Sequence, residues 1–228
     1  MTTRFILVRH GETESSKERR FAGATNVDLT EYGREQARAL AQRLRAVRID
    51  VMHVSPLVRC VQTSEPITQI TGRKATIVED LRECHFGDWE NLTFGEVMER
   101  WPEDVARWAG DDEVPPTGGE CWADLGRRVG TWWDEAAKRY DGRTVLAVTH
   151  GGPILSLARR VTNAPRDVMD VFMVETASVS VIQLNNGRKR IRLWNDTTHL
   201  SDPLMDGTTT SYTQRRTLVG EEPSGRPR

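Results

Sequence analysis

The sequence predicts an α/β fold: a three-layer α/β/α sandwich on a mostly parallel central sheet, with an antiparallel edge hairpin and a helical cap insertion. Phe5-Ile6-Leu7-Val8 is a short continuous apolar run, as expected of a strand buried on both faces of a parallel sheet. Thr144-Val145-Leu146-Ala147-Val148-Thr149 repeats that pattern late in the chain. Each run leads into a histidine and a glycine, His10-Gly11 after the first and His150-Gly151 after the second. Ligands of parallel sheets bind at the carboxyl ends of the strands, so two parallel central strands would bring two histidines to one edge. Arg9 adds a rigid fork of donors suited to a phosphate or carboxylate, and Gly11 lets the backbone turn sharply beside a ligand.

At 228 residues the chain is long enough for one α/β domain with a sizeable core. Its net charge of -1 gives no positive field that would recommend nucleic acid or an anionic membrane as a partner. The first strand begins almost at once, which leaves no room for a secretory signal, and no apolar run reaches the roughly eighteen residues of a spanning helix. The expected location is the cytoplasm. Cys60, Cys84 and Cys121 are odd in number and widely spaced, which argues for reduced thiols rather than a disulfide framework or a paired metal signature. The spacings of His10, His53, His85, His150 and His199 likewise match no common metal motif, so no metal and no cofactor is expected.

The remaining elements follow in order. Residues 14–27 show no period and are expected as a loop. Thr30 can cap a helix over residues 31 to about 45, whose apolar face is Ala37, Leu40, Ala41, Leu44 and Val47. Residues 49–54 read as a strand. Ser55-Pro56 then suggests a capped helix start, which places Arg59 near the positive end of a helix dipole, and Pro66 should interrupt or kink that helix. Residues 76–78 are a short strand. Thr93-Phe94-Gly95-Glu96 is a capping-box pattern for a helix to about Arg100, with a second short helix after Pro102. The segment from about 89 to 121 breaks the strand-helix rhythm and suggests a cap. Trp122, Leu125, Val129, Trp132 and Ala136 mark one face of a long helix ending near Tyr140, and another helix follows His150. Two alternating strands meeting across Asn186-Gly187 signal the hairpin, and residues 202–228 have the composition of a disordered tail.

These strand endings are accompanied by Leu29-Thr30-Glu31-Tyr32-Gly33, Ser55-Pro56-Leu57-Val58-Arg59-Cys60-Val61-Gln62-Thr63, Leu81-Arg82-Glu83, Phe86-Gly87-Asp88-Trp89-Glu90 and Gly118-Gly119-Glu120. In order and approximate spacing the set resembles the histidine phosphatase superfamily, which also contains the cofactor-dependent phosphoglycerate mutases. The resemblance implies a domain over residues 1–201 and a phosphatase for a small-molecule phosphate monoester. His10 would carry the phosphoryl group, and Arg9, Arg59, His150 and Gly151 would hold its oxygens. Glu83 matches the proton donor of the family's phosphatases. In the loop, Ser16, Arg20 and Gly23 become candidates for substrate contact, although relatives commonly carry asparagine at the position of Ser16. Dimers are frequent among relatives, which leaves a homodimer open.

Two rival readings remain. The mutases usually show Gly-Asn-Ser-Leu-Arg after the second histidine, where this chain has Gly151-Gly152-Pro153-Ile154-Leu155, so hydrolysis is favoured over mutase-type transfer. A binding module that recognises phosphorylated ligands without turning them over would not need His10 and Glu83 together. The Phe86-Gly87-Asp88-Trp89-Glu90 stretch is similar to the broad phosphatase branch that includes α-ribazole phosphatases. Because Glu96, Glu99, Glu103, Asp104, Asp111, Asp112 and Glu113 crowd the cap region, the cap is expected to repel doubly charged substrates, with Trp89, Trp101 or Trp108 as an apolar wall.

Overall fold

The computed structural model of the protein describes residues 1–166 and 171–200. Six strands form one sheet: β1 (Thr2–Arg9), β2 (Val51–Val54), β3 (Ala75–Ile77), β4 (Thr144–Thr149), β5 (Val179–Asn185) and β6 (Arg188–Asp196). Their order is β3-β2-β4-β1-β5-β6, with the first four parallel and the hairpin β5-β6 antiparallel at one edge. The two apolar runs are therefore the central pair, and Arg9 pairs with Thr149 in their register. The next residue of each strand is a histidine.

The alternation within these runs shows why both faces are apolar. Phe5, Leu7, Val145 and Ala147 point into a core with α6 (Trp122–Arg139) and α7 (Gly151–Thr162), where Phe5 stacks on Trp133 at a centroid distance of 3.9 Å. Ile6, Val8, Leu146 and Val148 point into the opposite core, under α2 (Glu31–Leu44) and α3 (Val58–Thr71). Each buried Phe, Leu, Ile or Val among them contributes about 1.5–3 kcal/mol, enough in sum to fix β1 beside β4. The helices of both layers thus hold the two strand ends together.

The capping signals place helices as the sequence suggests: Thr30 Oγ1 accepts from Gly33 N ahead of α2, and Thr93 with Glu96 forms a reciprocal box ahead of α4 (Phe94–Arg100). A second cap helix, α5 (Pro102–Gly110), has proline at its start. Three local expectations are corrected. The stretch after Thr13 is not all loop, because Thr13 and Ser16 form a capping box around a single helical turn, α1 (Glu14–Lys17), too short to show a period. α3 begins at Val58, with Leu57 as a cap that makes no side-chain bond; the Ser55 hydroxyl bonds His150 at 2.7 Å and takes only a long 3.4 Å bond from Leu57 N. Of the two outcomes expected of Pro66, interruption does not occur: α3 runs through it to Thr71, and burial of Cys60 and Ile67 against the sheet offsets the missing hydrogen bond. The expected disordered tail, residues 202–228, lies outside the described residues. Among the described residues no helix is long and apolar enough to cross a membrane.

Candidate active site

The carboxyl ends of β1 and β4 deliver His10 and His150 with ring centroids 5.1 Å apart. His10 Nδ1 lies 2.7 Å from the Gly11 carbonyl oxygen. That oxygen can only accept, so Nδ1 carries the proton and Nε2 keeps its lone pair. Burial, then the charges of Arg59 and Arg9, hold the His10 imidazole well below its ordinary pKa of 6.5. The ring is therefore neutral at pH 7, with Nε2 available as a nucleophile.

The turn after His10 explains a second motif. A Cβ on Gly11 would fall 2.5 Å from the carbonyl oxygen of Gly33, and one on Gly33 would fall 2.1 Å from that of Glu12. Two backbones pass here without room for side chains. Glu12 O also accepts from Thr30 N at 3.0 Å, and Gly11 N donates to Thr63 Oγ1 at 3.0 Å, so the histidine turn is pinned by α2 and α3 together.

Arg59 is fully buried, and its three nitrogens donate to different groups: Nε to His150 Nδ1 at 3.2 Å, Nη1 to Thr25 O at 2.8 Å and Nη2 to Gly23 O at 2.7 Å. Because a guanidinium only donates, His150 Nδ1 accepts and its Nε2 carries the proton, which it donates to Ser55 Oγ at 2.7 Å. Burial, followed by Arg59, His10, Arg9 and Arg128, keeps His150 neutral as well. The Cys60 thiol, 3.4 Å from His150 Nε2, is pushed up to about 12 by burial and stays protonated. Arg9 Nη1 donates to Val174 O at 2.6 Å.

Glu83 reaches the same region from the loop after β3. Its Oε1 accepts from Cys84 N at 2.8 Å and its Oε2 from Gly152 N, in the first turn of α7, at 3.3 Å. Arg128 on α6 straps that loop from behind. It donates to the carbonyls of Asp80, Arg82 and Glu83 and forms a bidentate pair with Glu120 at 2.7 and 2.8 Å. Glu83 opens onto a cleft of about 490 Å³ that is also lined by Arg82, His85, Glu120, Asp124 and Arg128.

The loop of residues 23–25 is gripped from two sides. Gly23 takes a left-handed φ of +50°, and a Cβ there would strike the Glu90 carboxylate at 2.1 Å. Glu90 accepts from Ala24 N, Thr25 N and the Thr25 hydroxyl, while Arg59 holds the carbonyls of Gly23 and Thr25.

The sequence-predicted residues thus divide. His10, His150, Arg9, Arg59, Glu83 and Gly151 converge at the strand ends. Gly23 joins them through its carbonyl. Ser16 has its hydroxyl in the capping box with Thr13, and Arg20 turns to Glu18, Asn91 O and Glu96. Sequence reasoning missed Ser55 as a partner of His150, Thr63, Glu90 and Arg128. Ser55, Thr63 and Glu90 stand within the stretches that carry the family resemblance but had no role assigned to them, and Arg128 left a signal as a cation between Leu125 and Val129 on an otherwise apolar helix face.

Four of the seven cap acids are paired with arginines among the described residues. Glu96 pairs with Arg20, Asp104 with Arg107, Glu113 with Arg127, and Asp112 with both Arg159 and Arg166. None of these acids lines the cleft beside Glu83. Trp89 and Trp108 are buried against each other at 5.3 Å, and Phe21 and Phe86 join them, so these tryptophans form the core of the cap rather than a wall for substrate. Among the described residues no group of three or more His, Cys, Asp or Glu is arranged to hold a metal ion.

The depressed histidines make a stability prediction. An unfolded chain protonates His10 and His150 near 6.5, whereas the folded chain refuses those protons, so stability is full above 6.5 and falls as pH drops towards the folded values. Tm is expected to stay level between about pH 7 and 8 and to fall as pH drops below about 6.5. A Tm that rises on acidification through that range would contradict the assignment of two neutral imidazoles.

Comparison with known proteins places the chain in a family. A model of the histidine phosphatase superfamily (branch 1) matches residues 5–197. A protein of Mycobacterium tuberculosis described as bifunctional is 38% identical over 200 residues, covering 87% of this chain, and the chain spans only 55% of that relative's length. Phosphoserine phosphatase 1 of Hydrogenobacter thermophilus is 33% identical over 200 residues, with 87% of this chain and 95% of the relative covered. Among solved structures, a mycobacterial glucosyl-3-phosphoglycerate phosphatase superposes with a TM-score of 0.78 at 27% identity, covering 86% of this chain and 100% of that one.

Proposed function

The chain belongs to the histidine phosphatase superfamily, and on that premise we propose that it hydrolyses a small-molecule phosphate monoester through a phosphohistidine on His10. The observation that carries this reading is the His10 tautomer, protonated at Nδ1 by its bond to Gly11 O and neutral through burial and two arginines. In the first step Nε2 bonds to phosphorus while the ester P–O bond breaks, and the leaving oxygen takes a proton from Glu83. In the second, water gives a proton to the Glu83 carboxylate and attacks phosphorus, the N–P bond breaks, and inorganic phosphate departs. Neither step uses a metal.

The phosphoryl oxygens are proposed to be held by Arg9, Arg59, His150 and the Gly151 N–H at the start of α7. Arg59 now donates to two neutral carbonyls, and a phosphoryl dianion offers it a stronger, charge-assisted bond. Gly23 keeps the loop in place. Ser16 and Arg20, engaged elsewhere, carry no role in this reading.

Relatives named as a phosphoserine phosphatase and a glucosyl-3-phosphoglycerate phosphatase suggest a polar leaving group. The cleft beside Glu83 supports that class, since it mixes Arg82, His85 and Arg128 with Glu120 and Asp124. Cys60, Cys84 and Cys121 are buried thiols outside any disulfide, which suits a reducing compartment such as the cytoplasm.

The test is phosphate release across phosphoserine, sugar phosphates, phosphoglycerates and α-ribazole phosphate, in the presence of a chelator. Release from at least one polar monoester, without interconversion of phosphoglycerates, is expected. Interconversion without release would favour the mutase, and binding without turnover would favour the recognition module.

A further inference from the structure

We propose that Gly152 is a positioning residue for Glu83, an inference that rests on the reading of Glu83 as the general acid. The missing side chain at 152 lets the Glu83 carboxyl settle on the first turn of α7, directly after the second histidine and its glycine. The Gly152 N–H lies 3.3 Å from Glu83 Oε2, while Cys84 N holds Oε1 at 2.8 Å. A Cβ added to Gly152 would fall 2.2 Å from Glu83 Oε1 and 3.2 Å from Leu125 Cδ2. The carboxyl occupies the volume that any other residue would fill.

The nature of the obstruction separates this glycine from Gly11. At Gly11 the added carbon meets the backbone of Gly33, so main chain would have to move. At Gly152 the nearest atoms are all ends of the flexible side chains of Glu83 and Leu125. Gly152 has no positive φ and stands within α7, so its backbone accepts alanine without strain. The fold can therefore admit the methyl by turning the Glu83 side chain aside.

That turn removes the acid from its seat. The Glu83 backbone cannot follow, because Arg128 Nη2 donates to its carbonyl at 3.0 Å and the carbonyls of Asp80 and Arg82 bind the same guanidinium. The whole displacement falls on the side-chain torsions, and the carboxyl loses its bond to Gly152 N. Catalysis, rather than stability, should register the change.

The experiment is a double-mutant cycle of Gly152→Ala with Glu83→Gln, read as kcat and KM on an alkyl phosphate and on a nitrophenyl phosphate, with Tm alongside. Gly152→Ala is expected to lower kcat on the alkyl ester by roughly 10- to 100-fold, part of the usual worth of a general acid, and by less than about threefold on the nitrophenyl ester. KM and Tm should change little. In the Glu83→Gln background the alanine should add less than about a further threefold loss, because the position it disturbs is already without function. Equal loss on both esters, or full additivity in that background, would overturn the proposal. A collapse of Tm relieved by Glu83→Asp, whose shorter carboxyl clears the methyl, would still support the clash, and a collapse not relieved would overturn it. If Glu83→Gln alone shows no dependence on the leaving group, the acid assignment fails and takes this proposal with it.

Discussion

Replacement of His10 by alanine is expected to lower kcat by on the order of 10⁴- to 10⁶-fold, the scale seen when a covalent nucleophile is removed. Nothing nearby can substitute. The neighbouring imidazole of His150 has Nδ1 bonded to Arg59 and Nε2 bonded to Ser55, and the Cys60 thiol is pushed up to about 12. Asparagine at position 10 should fail equally, since its amide can donate to Gly11 O but offers no nucleophilic nitrogen. Full activity of His10→Ala, or abolition of wild-type activity by a chelator with rescue by a divalent ion, would refute the assignment.

Glu83→Gln is expected to lose about 10²- to 10⁴-fold on an alkyl phosphate, the usual contribution of a positioned general acid. The loss should shrink on a nitrophenyl phosphate, whose leaving oxygen needs no proton. The amide oxygen can keep the bond to Cys84 N, while its NH2 cannot accept from Gly152 N, so the shape is retained as the proton and the weaker, 3.3 Å bond are removed. An equal loss on both esters would reassign Glu83 to a structural role.

What the sequence made legible was local. The apolar runs of β1 and β4, the Thr93–Glu96 box and the Asn186-Gly187 turn each carry their signal within a few residues, and each stands where it was expected. His10 and His150 could be paired because both strands announce the same ending. The supporting partners are distant in sequence: Ser55 and His150 are 95 residues apart, and Arg128 and Glu83 are 45 apart. Arg128 could be noticed as a cation on an apolar helix face, but nothing near it in the chain names its partner. Ser55-Pro56 looked like a helix cap because a serine before proline usually is one, and only the position of β4 reveals the other claim on its hydroxyl. The pairing of Asp112 and Glu113 was hidden for a related reason, since their arginine partners Arg127, Arg159 and Arg166 are remote in the chain.

Direct detection of the phosphoenzyme tests the central claim most sharply. Glu83→Gln enzyme, in which the water step lacks its base, would be mixed with a nitrophenyl phosphate, quenched in alkaline denaturant and digested for mass spectrometry. The account predicts one phosphoryl group per chain, stable in alkali and labile in acid, on His10, with its yield greater than in wild type and absent from His10→Ala. Turnover without any phosphorylated His10, or a phosphoryl group carried by another residue, would contradict it.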